Sequence, residues 1–581
     1  MARLMITTVV AVLLAVVPLR ASPLISKSVR SLPGSRCKSI QGDPTWPTEE
    51  DWARLNATVQ GRLITSVRIA SVCHDPTYDA RACEDLRGKW GFPDSFLGSP
   101  ADSLPPFFEN QSCNPFTERQ MPCSLGNAPI FSINTTGFED IRAGIEFAKE
   151  KNVRLIIKNT GHDFLGKSTG KSALSLWTHN LKDIDYLESY RGGTGDYSGP
   201  VLRIGAGVTL DDLRDTLSTR GIRALTGTCS TVGIAGGFAA GGGHGLLTSR
   251  YGLAADSVLE WDVVTAGGAR LTVTPTSHPD LYWSLTGGGA GTFAIVLSMT
   301  MRVYPDEPMA GARAEFDVAG AGGTERFWDA VATFQFSLGP LADRGAVVAY
   351  SITDKALSVY GMAIPDTRDL PAIDVMLEPV EDAVRDVGVP LNFSTTAHPG
   401  FLDMFDAYFE ETFLTVSETQ VTGGRLIPRA LMENKQTATT VTQALRQVAE
   451  AGFNVICVAV NAQGPGFYSN AVFPLWRSSL LNCVFSYVWD FTRPWEEMLG
   501  RQKILTEVLM PQVQEATPGG GAYLNEANFQ QSDWQETFYG ANYPRLRSIK
   551  RAYDPEGILY ARTGVGAEDW EQDADGRICR A

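Results

Sequence analysis

Two side chains stand out as able to form bonds. His162 lies in Gly161-His162-Asp163, and Cys229 sits about a hundred residues from any other cysteine in a glycine-rich stretch. Such a histidine is either a hydrogen-bonded structural residue or a ligand. A cysteine there either packs as a small hydrophobe or, with access and thiolate character, reacts. Near the C-terminus Tyr523-Leu524-Asn525-Glu526 offers a phenol and a carboxylate that could handle protons, or simply pack and cap. His244, inside Gly243-His244-Gly245, either satisfies a glycine turn or faces the same site.

The segment around His162 satisfies two other short patterns. Gly161 to Ser168 fits the phosphate-binding G-x-x-x-x-G-K-[ST], and Gly166 to Gly170 fits G-x-S-x-G, which would make Ser168 the nucleophile of a hydrolase. Both need a helix after the loop. Instead Thr169-Gly170-Lys171-Ser172 is turn-prone and leads into the strand-like Ala173 to Trp177, so context weighs against both.

The elements around these residues alternate. Phe138 to Lys151 has helical spacing, Val153 to Lys158 and Val201 to Ile204 read as strands, and Thr209-Leu210-Asp211-Asp212 starts a capped helix reaching about Arg220. A helix is expected around Trp52 to Val67. Eight glycines fall between Leu225 and Gly245, and Gly287-Gly288-Gly289-Ala290-Gly291 separates two apolar runs, so backbone lies close to something at both places. Residues 307 to 505 alternate β-like runs (345–359, 453–460, 482–489) with helical stretches (369–387, 432–451), which suits a sheet-plus-helix domain.

A net charge of −15 excludes a surface built to attract nucleic acid. Arg3 followed by the apolar run Leu4 to Pro18 reads as a signal peptide, residues 1–21, and no segment is long enough to span a membrane. Export also suits the sequons at Asn56, Asn110, Asn134 and Asn392 and the nine cysteines, five of them before residue 125. Nine is odd, and Cys229 is the expected unpaired thiol; the pairing of the other eight stays open.

Three separated motifs resemble the vanillyl-alcohol-oxidase superfamily, in its berberine-bridge-enzyme-like branch with secreted fungal relatives. They are Lys158-Asn159-Thr160-Gly161-His162-Asp163, the run Thr228-Cys229-Ser230-Thr231-Val232-Gly233-Ile234-Ala235-Gly236-Gly237, and Tyr523-Leu524-Asn525-Glu526 with Tyr539-Gly540-Ala541-Asn542-Tyr543-Pro544. The resemblance implies an α+β fold: two α/β subdomains clasping FAD, and a substrate domain whose antiparallel sheet, flanked by helices, roofs the flavin ring. It divides the chain into a Cys-rich extension (22–124), an FAD-binding domain (125–306), a substrate domain (307–510) and a returning C-terminal segment (511–581).

In residue terms, the resemblance implies flavin attached at its 8α-methyl by His162 and at C6 by Cys229. Asn159, Thr160, Gly161, Asp163, Thr228, Thr231, Val232, Gly233, Gly236, Gly237, Gly243, His244, Gly291, Ile295, Asn525 and Asn542 are expected around the cofactor, and no metal ligands are assigned. An acidic protein holds a pyrophosphate best with backbone N–H groups in glycine turns, and the absence of G-x-G-x-x-G excludes the Rossmann pattern. Tyr523 takes the part of catalytic base by resemblance, with Glu526 the second candidate. Val232 matches oxygen-reactive relatives, so the expected enzyme is an oxidase passing hydride from an alcohol, sugar or secondary-metabolite substrate to flavin and electrons to O2. The rivals are a flavoprotein that isomerises or cyclises its substrate, and a Ser168 hydrolase.

Overall fold

Apolar runs broken by glycine turns build three large sheets, beside two two-stranded ones, in the computed structural model, which describes residues 36–192, 197–410, 419–464 and 468–581. The expected signal peptide, 1–21, lies outside the described residues. In the first sheet, strands Phe131–Asn134 and Leu155–Lys158 flank Leu174–Trp177 in parallel, and Leu63–Thr65 adds an antiparallel edge. Helix Phe138–Glu150 crosses from Phe131–Asn134 to Leu155–Lys158 on the far side of the central strand, and buries Ile141, Ile145, Phe147 and Ala148. The expected helix at 52–67 is shorter: it spans Glu49–Thr58. Gln60 and Gly61 adopt left-handed backbone, and the β-branched Ile64 and Thr65 then pair with the sheet.

The second sheet is antiparallel, ordered Ile184–Leu187, Val201–Gly205, Ala294–Arg302, Val258–Thr265, Arg270–Val273. Helix Leu210–Arg220 follows its strand Val201–Gly205, with Thr209 and Asp212 forming the expected capping box.

The third sheet has seven antiparallel strands in the order Ser394–His398, Met309–Asp317, Ala356–Pro365, Val347–Ile352, Asn454–Ala459, Ser479–Val488, Gln420–Pro428. Helices Thr324–Phe336, Leu370–Asp386 and Lys435–Glu450 share a core with one face of it. Strand side chains alternate, so Val455, Cys457 and Ala459 go to that core while Ile456 and Val458 face a cavity on the other side.

Disulfides join Cys37 to Cys579, Cys73 to Cys83, Cys113 to Cys123 and Cys457 to Cys483, the last pair directly opposite each other on neighbouring strands. Cys229 is the one free cysteine among the described residues. The C-terminal helix Tyr543–Tyr553 sends Lys550 Nζ to the Thr292 carbonyl at 2.7 Å, fastening it to the Gly287–Gly291 turn region. Among the described residues no helix is long and apolar enough to cross a membrane.

Candidate active site

The loop after strand Leu155–Lys158 does not become a helix. Gly161 and Gly166 take φ values of +93° and +75°, and the Asp163 carboxylate accepts from the Leu165 and Ser168 amides at 3.0 and 2.7 Å. The chain then passes through turns, with Ser172 left-handed at φ +55°, into Leu174–Trp177, so the phosphate-loop and nucleophile-elbow patterns both lack their helix, and Ser168 loses the context a nucleophile needs.

Lys158 anchors this loop from behind. Its Nζ donates to the carbonyls of Phe96 (3.2 Å), Ser99 and Asp102 (2.6 Å), and burial pulls its pKa down to about 8. Beside it Arg68 Nε donates to Asp102 Oδ1 at 2.7 Å, a buried ion pair. The N-terminal extension thus braces the loop, and Phe108 lies so close that a Cβ on Gly166 would meet its ring at 2.4 Å.

The second wall is the stretch from Gly227 to Phe238. Asn159 donates its amide to Thr178 Oγ1 (3.0 Å) and the Ala206 carbonyl (2.9 Å). Gly233 and Gly236 pack directly on that side chain, where a Cβ would stand 2.0 and 2.3 Å from its atoms and force it to move. This contact draws Cys229 to the loop: its Sγ lies 4.0 Å from His162 Nε2, although 67 positions separate them. Thr231 Oγ1 touches both, at 2.7 Å from the nitrogen and 3.3 Å from the sulfur.

The third wall comes from the C-terminal segment and the seven-stranded sheet. Glu526 receives hydrogen bonds from His244 Nε2 (3.0 Å to Oε1) and Asn482 Nδ2 (2.7 Å to Oε2). Burial pushes the Glu526 carboxyl up, but the His244 charge and the bonds from His244 and Asn482 outweigh it, and the net pKa lies below the ordinary carboxylate value. Tyr523 Oη accepts from the Gly243 amide (3.2 Å) and Asn525 Nδ2 (2.7 Å). Burial and the nearby Glu526 charge nevertheless push the phenol well above its usual range.

These walls enclose a cavity of about 290 Å³. Asn159, Thr160, Gly161, His162, Asp163, Thr228, Cys229, Val232, Gly233, Gly236, Gly237, His244, Gly291, Tyr523, Asn525 and Glu526 all line it. Thr231 and Gly243 act one layer back, through His162 and Tyr523. Two expected residues lie elsewhere. Ile295 is fully buried in the core between the first two sheets, because it points inward from strand Ala294–Arg302. Asn542 donates to the Ala471 and Val472 carbonyls at 3.2 and 3.1 Å, holding a loop outside the cavity wall. Sequence reasoning missed Tyr360, Gln420, Ile456, Val458, Asn482 and Val484, which roof the cavity from the sheet. A signal existed for one of them: Asn482 is the single polar residue in the run Leu480 to Val484.

A dinucleotide carrying a planar ring needs close backbone and polar atoms awaiting partners. The cavity offers both: side-chain-free Gly233, Gly236, Gly237 and Gly291 in its wall, and Asn159 Oδ1, buried with no hydrogen-bond partner among the described residues. The residues fit FAD. Family profiles agree: one described as FAD binding domain matches residues 133–274, and one described as Berberine and berberine like matches 522–566. The VAO-type flavoprotein oxidase VAO615 of Thermothelomyces thermophilus is 42% identical over 552 residues, 94% of this chain and 95% of its own length. The bifunctional decalin synthase calF of Penicillium decumbens is 40% identical over 567 residues, 96% of this chain and 98% of its own length. A crystal structure of the VAO-type flavoprotein MtVAO615 from Myceliophthora thermophila C1 matches with a TM-score of 0.90 at 41% identity, covering 94% of this chain and 100% of that one. Glycine cradle, unpartnered amide oxygen and near full-length likeness converge: the chain belongs to the berberine-bridge-enzyme-like branch of the vanillyl-alcohol-oxidase superfamily and is an FAD-linked oxidoreductase.

Proposed function

We propose that this chain is a secreted oxidase whose FAD is tethered through both His162 and Cys229, and which oxidises a small-molecule alcohol or phenol with O2 as acceptor and H2O2 as product. The observation that carries it is the approach of an imidazole and an unpaired thiol to 4.0 Å on the wall of a glycine-lined cavity. Bound there, flavin supplies a hydride acceptor for the substrate C–H and returns the electron pair to O2.

The rest belongs to the protein. A substrate hydroxyl that loses hydride from carbon must also lose its proton, and Glu526, held ionised by His244 and Asn482, is the group placed to take it. Tyr523, kept protonated by burial, orients the substrate oxygen instead of removing its proton. Val232 lines the cavity between Cys229 and Gly233, and its match to oxygen-reactive relatives supports O2 as the acceptor. Four disulfides and exposed sequon residues Asn110 and Asn392 support export.

Acid precipitation tests the tether: yellow colour should stay with the protein, and peptide mapping should find flavin on His162 and Cys229. Oxygen uptake with stoichiometric peroxide tests the oxidase. The likeness to calF favours one second reading, ring formation or isomerisation without net oxidation. Product formation with no oxygen consumed would select it.

A further inference from the structure

The cavity roof continues outward along its own strands. Cross-strand pairing places Val458 opposite Asn482, Ile456 opposite Val484, and Asn454 opposite Ser486. Gln420 lies opposite Val488 on the next strand. Residues two apart on a strand share a face, so these four rungs form one track. Its inner end is Asn482, bonded to Glu526. Its outer end opens into a groove of about 680 Å³ lined by Asn454, Ser486 and Val488, and Gln420 lines both spaces. At roughly 3.3 Å per residue, Asn482 and the Asn454–Ser486 rung are about 13 Å apart.

The chemistry along the track alternates. The inner rung presents Asn482, whose Oδ1 is buried with no hydrogen-bond partner among the described residues. The middle rung, Ile456 and Val484, is aliphatic, and the strand beyond contributes Gly424. The outer rung presents Asn454, whose Oδ1 is likewise buried and unpartnered. Outside it, the groove wall is aromatic: Phe116 from the N-terminal extension stacks on Phe491 with ring centroids 5.1 Å apart. Two acceptors awaiting donors, with an apolar rung between them, describe the shape of a ligand. An oligosaccharide would press hydroxyls onto Ile456 and Val484 and leave them without partners.

Building on the oxidase reading above, we infer that the substrate is an elongated alcohol or phenol with an apolar middle. It carries a second hydroxyl or amide N–H about 13 Å from the reacting end, which bonds to Asn454 while the first lies at Asn482 and Glu526. The N-terminal extension, through Phe116 and Trp90, forms the far wall of its groove.

The test uses the flavin-loaded enzyme with straight-chain α,ω-diols from butanediol to tetradecanediol, the matching mono-alcohols, and cellotetraose. Binding is read by quenching of tryptophan fluorescence, since Trp90 and Trp489 line the groove, and turnover by peroxide. Affinity should rise with diol length, and the diol long enough to reach Asn454 should bind about fivefold tighter than its mono-alcohol. Asn454→Leu and, separately, Ser486→Ala should shrink that preference and leave butanediol unaffected. Affinity independent of length, equal binding of long diols and mono-alcohols, cellotetraose binding tighter than every diol, or no diol binding would each overturn the inference. Length-dependent binding without peroxide upholds the track while removing the oxidase reading. Peroxide from butanediol with no length dependence does the reverse.

Discussion

Cys229 Sγ and His162 Nε2 stand 4.0 Å apart, and the same Thr231 hydroxyl touches both. Neither the loop nor the glycine-rich stretch could bring this about alone, because the approach depends on Gly233 and Gly236 seating against Asn159.

On the proposed double tether, either attachment point should hold the flavin when the other is lost. His162→Ala and Cys229→Ala should each keep yellow colour in the acid-precipitated protein, and the double variant should release all of it to the supernatant. Gly236→Ala, which forces a Cβ onto the Asn159 amide, should lower covalent loading with both attachment residues intact. Absorbance of pellet and supernatant decides each case. Full retention of colour in the double variant would remove the tether.

Glu526 as the proposed base should set the acid side of the pH profile. Its carboxyl lies below the ordinary value near 4.3 because the His244 charge and the bonds from His244 and Asn482 overcome burial. Rate should therefore rise as pH climbs through this depressed pKa and be flat above about pH 5 as far as Glu526 is concerned. The sign for stability is the same: a depressed carboxyl stabilises the fold above its unfolded pKa, and that contribution is lost as pH falls through the folded one. His244→Asn should move the acid limb upward, since it removes the charge that holds Glu526 ionised. Glu526→Gln should cost about 10²- to 10⁴-fold in turnover. A pH–rate series on the three proteins measures the catalytic effects, and melting temperature against pH measures the stability one.

Tyr523 should matter less. Burial and the Glu526 charge keep its phenol protonated, and the Asn525 and Gly243 donors do not reverse that. Tyr523→Phe should cut turnover by about tenfold, the scale of one hydrogen bond to the reacting oxygen. A loss equal to that of Glu526→Gln would make Tyr523 the base.

What the sequence displays is local, and what it hides is long-range. His162, Cys229 and the Tyr523–Glu526 segment show themselves through spacing, isolation and glycine context, and the box at Thr209 and Asp212 forms as its four residues require. The roof does not show itself, because Tyr360, Gln420, Ile456 and Asn482 come from four strands whose register only the folded sheet fixes. The helix drawn too far toward Val67 has a different cause: apolar spacing continues past Thr58, but the left-handed turn at Gln60 and Gly61 ends the helix. Ile295 and Asn542, expected around the cofactor, do not line the cavity: the Ile295 side chain packs in the core and the Asn542 side chain clamps a loop.

Lys158 offers the strictest test of how the N-terminal extension supports the site. Its ammonium is the shared donor for three backbone carbonyls, at Phe96, Ser99 and Asp102, and it immediately precedes Asn159. Methionine nearly keeps the length and loses every donor, so Lys158→Met strips the Ser99 and Asp102 carbonyls of this partner, at a cost of roughly 3 kcal/mol. The damage should reach the cavity, since Asn159 and Gly161 are carried on the same turn and a Cβ-sized shift is enough to disturb the Gly233 contact. Thermal melting should show the lower stability. Flavin loading of the folded fraction should fall as well, with His162 and Cys229 unchanged. A lowered melting temperature with full loading would confine Lys158 to holding the extension and separate it from the cofactor loop.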